Sequence, residues 1–131
     1  AQFHEHRMGI LAMLDGARPL LNGGYAQLEG RLTPFRTELS ARMQAFQLYK
    51  HTAIFDPILS SDSPDRAIVE KLKVDCIMLG HEYDAYRQRW AKADIERNWK
   101  EFRLSALAMM TAIRKSLGEQ DAAIRALTAH Q

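Results

Sequence analysis

A chain of 131 residues with 47% apolar and 26% charged residues has the composition of an ordinary globular domain, and residues 1–131 read as one such unit. Its formal charge of +2 comes from Lys and Arg interleaved with Asp and Glu, so there is no basic stripe and nucleic acid is not an expected partner. A single cysteine, Cys76, rules out an internal disulfide and suits a reducing cytoplasm. The longest apolar runs, at 8–14 and 104–113, are too short to cross a bilayer, so no membrane role is expected.

The opening "AQFHEHR" lacks the basic-then-apolar pattern of a secretion signal, and a start on Ala1 leads one to expect an upstream segment. Apolar residues then recur at helical spacing, and strand-like alternation is nearly absent. Phe3, Ile10, Leu14, Ala17 and Leu21 form a first stripe. "NGG" at 22–24 predicts a turn, and Pro19 ends or kinks the helix before it. A second stripe follows through Tyr25, Leu28, Leu32, Phe35, Leu39, Met43, Phe46 and Ala53, with Thr33-Pro34 as a cap and first-turn proline inside it. "DPILSSDSPD" at 56–65 is the clearest break. Pro57 should push Asp56 out of the helical region, and Ser63-Pro64 should start the next helix. The third stripe is Ile68, Leu72, Leu79, Tyr83, Tyr86 and Trp90. After a weaker break at 91–94, with Asp94 as a cap, the fourth runs through Ile95, Trp99, Phe102, Ala106, Met109, Ile113, Leu117, Ile124 and Leu127. Four amphipathic helices with short links predict an all-α, antiparallel up-down-up-down four-helix bundle.

In that topology the start of the first helix, the end of the second, the start of the third and the end of the fourth share one end. His4, His6, His51, Glu119, Asp121 and His130 gather there, while His81 falls in the far half. Imidazoles and carboxylates inside a helix bundle are the raw material of a non-haem iron site, so His6, His51 and Asp121 are the candidate metal ligands. Direction opposes this: the inward positions of the second helix at that level are Phe46 and Lys50, and His51 lies about 100° round from Lys50. The other reading makes His51 a boundary residue near a helix C-terminus, where imidazolium is mildly favoured. Lys50 either pairs across the interior with Asp121, Glu119 or Asp75 as a polar tie, or runs its stem along the core to solvent. Cys76 reads as a small buried hydrophobe.

The segments "EHRMGILAMLDG", "LSARMQAFQLYKHTAIFDPIL" and "WKEFRLSALAMMTAIRKSLGEQDAAIRAL" resemble the first, second and fourth helices of hemerythrin-like (HHE cation-binding) domains. The resemblance implies their bundle fold. It implies ligand positions at His6, at Phe46 and Lys50, at Asp75 or Cys76, and at Ser116 and Asp121. Since few of these are ligand types, it implies a bundle with a degenerate metal site and no cofactor. Such a chain would be a non-enzymatic cytoplasmic signalling or protein-interaction module, with a protein partner or a homodimer. The alternative is a di-iron or other non-haem iron sensor, or a dioxygen-binding protein, with an atypical ligand set. No nucleophile elbow, phosphate loop or Cys-x-x-Cys motif points to an enzyme.

Overall fold

A computed structural model describes residues 2–129, with side chains through residue 127, and His130 lies outside these. Among the described residues the chain is all-α and without strands. Helix α1 spans Gln2–Gly23, a single turn α2 spans Tyr25–Leu28, and α3 spans Leu32–Tyr49. A π-helical segment, Lys50–Phe55, continues α3 without a break into the short α4, Asp56–Leu59. Helix α5 spans Arg66–Trp90 and α6 spans Trp99–Ala129. None of these helices is long and apolar enough to cross a membrane.

The turn after α1 forms where glycine permits it, with Gly24 at φ 102° and Gly30 at 84°. Pro19 is carried inside α1. Helix α3 starts at Leu32 with Arg31 as its cap, one residue before Thr33-Pro34. Ser63 accepts the Asp65 N–H on its hydroxyl (3.1 Å) just before α5. The Asp94 carboxylate accepts the Arg97 N–H (3.1 Å) in the turn that leads into α6.

The expected exit from the helical region at Asp56 does not occur: its φ and ψ are −63° and −41°. The π turn accounts for this. Its wider winding hydrogen-bonds the Asp56 N–H to His51 O, five residues back, and brings Pro57 into the first turn of α4, where a missing N–H costs little. The same turn displaces Ala53, expected inside, to the surface and buries Phe55 instead. In α5 the inward position is Val69 rather than Ile68, which is exposed. The other positions of the four stripes are buried or half-buried.

Helix α1 packs against α3 and α6, and α5 packs against α6. The main apolar cluster runs from Ile10, Leu14 and Leu21 through Leu39 and Phe46 to Trp90, Phe102, Ile113 and Leu117. A second cluster joins Phe55 to Val69, Leu72 and Cys76 of α5 and to Leu127 of α6. The start of α1 therefore meets the end of α3, through Phe3 and Phe46. At the opposite end Arg103 of α6 donates to Leu21 O of α1, and Arg36 of α3 donates to Trp90 O of α5.

Candidate functional site

Between the two apolar clusters lies a knot of polar side chains. Lys50, the first residue of the π segment, is only 4% exposed and does not reach solvent. Its ammonium donates to Gln120 Oε1 at 2.7 Å, and Gln120 Nε2 donates to Ser116 Oγ at 2.8 Å. The same ammonium lies 4.2 Å from the centre of the Phe46 ring, a cation–π geometry. Cys76 of α5 lines the same cavity as Lys50. Burial lowers the Lys50 pKa, because an ammonium loses more hydration than a neutral amine, and the Cys76 sulfur offsets part of that. A cavity of about 160 Å³ opens beside the knot, lined by Phe46, Gln47, Lys50, Cys76, Gly80 and Tyr83 among others.

The π segment helps aim Lys50. A step of four from Phe46 to Lys50 and of five from Lys50 to Phe55 holds all three on the inner face. An unbroken α-helix would rotate Phe55 off that face.

The partner of Lys50 is a neutral amide, not the carboxylate expected. Asp75 pairs instead with Lys71 on the surface of α5 (2.9 Å), and Glu119 is an exposed residue 4.0 Å from Lys115. Asp121 faces Arg125 one turn on (3.1 Å). A carboxylate would have neutralised the buried charge. Gln120 only solvates it, and the rest of the desolvation stays on Lys50 as the lowered pKa.

The proposed ligands His6, His51 and Asp121 are held by separate contacts. His6 stacks on Phe46 (centroids 5.4 Å apart) and leans on Tyr49 (5.3 Å). His51 meets the edge of Phe55 at 5.1 Å. Among the described residues, no group of three His, Cys, Asp or Glu side chains is placed to hold a metal ion. His51 also departs from the expectation that its charged form is favoured. Burial, and then the charge of Lys73, lowers its pKa, and the helix runs on past it into α4, so no free helix end attracts a cation there.

Sequence reasoning missed Gln120 as the acceptor. The signal was a gap: the inward positions of α6 run 113, 117, 120, 124 and 127, and a stripe built from apolar residues alone leaps from Leu117 to Ile124.

With this geometry in hand, the comparisons add no relative. No family model, curated protein or solved structure matches this chain.

Proposed function

We propose that this chain is an antiparallel four-helix bundle of hemerythrin-like type whose interior metal level has been replaced by a Lys50–Gln120–Ser116 polar tie. It works as a non-enzymatic regulatory or protein-interaction module of the cytoplasm. The observation that carries this reading is the 2.7 Å hydrogen bond from the buried Lys50 ammonium to Gln120. The positions that the resemblance makes ligands in the first, second and fourth helices supply His6, Phe46, Lys50, Ser116 and Asp121; the first four adjoin one another in this knot, while Asp121 pairs with Arg125. Cys76, at the third-helix position, lines the same cavity as Lys50.

The donor set does not fit an iron centre. A phenyl ring and an ammonium stand where an imidazole and a carboxylate are needed, and the ammonium repels a cation in a medium of low polarity. No chemistry routed through a metal follows from these residues. Pairing of the long helices with start against end supports the bundle. An interaction face is available on α5, where Val74, Ile77 and Met78 are exposed.

The test is the melting temperature with ferrous iron and with a chelator. A ligand held at a hundred times its Kd stabilises the folded state by about 2.7 kcal/mol. The reading expects the transition to ignore both additions. A rise with iron that chelator reverses sinks it.

A further inference from the structure

Helices α3 and α5 face one another without packing closely along their lengths, and what joins them is side chains. Ser40 and Tyr83 share a hydrogen bond at 3.0 Å, and Arg36 reaches Trp90 O at 3.3 Å. A cleft lies between the two helices. Its outer mouth, about 570 Å³, is lined by polar side chains that include Ser40, Gln44, Asp84 and two guanidiniums, Arg36 and Arg87. Next to it lies an apolar chamber of about 50 Å³ among Phe35, Leu39, Tyr86, Phe102, Met109 and Met110. Arg36 and Arg87 line both compartments and so stand at the threshold between them.

We infer that this cleft is a binding site for a small aryl-alkyl carboxylate, its ring or chain end in the chamber and its carboxylate on Arg36, Arg87 and the Tyr86 hydroxyl. Three observations converge on that ligand class. The first is charge: two guanidiniums face one carboxylate, Asp84, so the mouth favours an anion. The Arg87–Asp84 pair is long, at 3.5 Å, and exposed on both sides, so it is weak and readily exchanged for a ligand carboxylate that Arg87 can grip with two N–H groups. The second is Tyr86, whose hydroxyl has no hydrogen-bond partner among the described residues although the ring lines the chamber. Burial pushes its pKa up to about 12, so the phenol keeps its proton and is a donor at neutral pH. The third is the chamber wall, where Met109 and Met110 carry flexible thioethers that re-pack around an entering ring. Apolar interior, few polar groups and a charged lip are the usual makeup of a small-molecule site. The cleft shares Gln44, Tyr83, Asp84 and Arg87 with the cavity beside Lys50, but the proposed ligand contacts neither Lys50 nor Gln120, so neither reading depends on the other.

The experiment uses 4-phenylbutyrate and its uncharged analogue 4-phenylbutan-1-ol, titrated into the whole chain by calorimetry and by NMR of ¹³C-labelled methionine methyls. The acid should bind saturably at one site, about tenfold or more tighter than the alcohol. Arg87→Leu should remove most of the acid's advantage over the alcohol. Arg87 is a half-exposed residue, and retention of the six methionine methyl signals shows that the Arg87→Leu variant is folded. The Met109 and Met110 methyls should shift while those of the exposed Met8 and Met78 stay in place. Equal affinity for acid and alcohol, no saturation by millimolar acid, or shifts confined to Met8 and Met78 would each overturn the assignment.

Discussion

Replacing Lys50 by Met removes the ammonium and keeps most of the stem. The lost contacts are the 2.7 Å bond to Gln120 and the approach to the Phe46 ring at 4.2 Å. Leaving the buried Gln120 carbonyl without a donor costs about 1–3 kcal/mol. The lost ring contact adds roughly 0.5–2 kcal/mol. Against this, the variant no longer buries a charge. These opposing effects separate with pH. Because the folded-state pKa of Lys50 is lowered, the unfolded chain binds more protons between that value and its ordinary one near 10.4. Lys50 therefore weakens folding below that window, and the penalty is lifted as pH rises through it, by about 1.4 kcal/mol for each tenfold loss of proton affinity. Lys50→Met abolishes this gain. Urea unfolding at pH 7 and pH 10 should show a modest deficit for the variant at neutral pH and a larger one at pH 10. Wild type and variant agreeing within about 0.5 kcal/mol at both pH values would place Lys50 in solvent and refute the reasoning.

Gln120→Leu leaves the buried ammonium without its acceptor and should cost roughly 1.5–3 kcal/mol, while the double variant with Lys50→Met should recover part of the loss in a double-mutant cycle. Additive losses would show that the two side chains do not interact. The His51 imidazole, its pKa lowered chiefly by burial, should titrate below 6.5 by NMR. Stability should fall as pH drops through the window between the folded value and 6.5, and His51→Gln should flatten that dependence. An unchanged slope in the variant contradicts the assignment. Deleting the exposed Ala53 shortens the Lys50-to-Phe55 step from five to four, which an α-helix satisfies, so the variant should keep its helical circular dichroism and unfold cooperatively, at a cost of about 3 kcal/mol from Pro57 inside an unbroken α-helix. Loss of the cooperative transition would mean that the π turn itself is required.

Much of the fold was legible because amphipathic stripes carry their own period. The first and fourth stripes name the residues that are buried or half-buried in α1 and around α6. Failures came where the sequence offers two neighbours of one type, or where the period changes. Ile68 and Val69 are both apolar, and only the heptad of Val69, Cys76, Tyr83 and Trp90 separates them. The π turn was invisible to a search at constant 3.6 spacing, and with it went Ala53, Phe55 and the helical Asp56. At the candidate site, the inward placement of Phe46 and Lys50 could be read from steps of three and four. The acceptor could not, because glutamine at a core position breaks the apolar pattern that marks the core. The long-range partners of Asp75, Glu119 and Asp121 were misjudged for a simpler reason. Each has a cation four residues away on its own helix, and a local pair needs no ordering of a distant element.

The central claim is that a lysine-centred tie occupies the level where a hemerythrin-like bundle would hold metal. The most direct measurement is the metal content and visible spectrum of the chain expressed in iron-supplemented medium. The account predicts far less than one iron per chain and no absorption band in the visible. Stoichiometric iron with an oxo-bridge or peroxo band would contradict it.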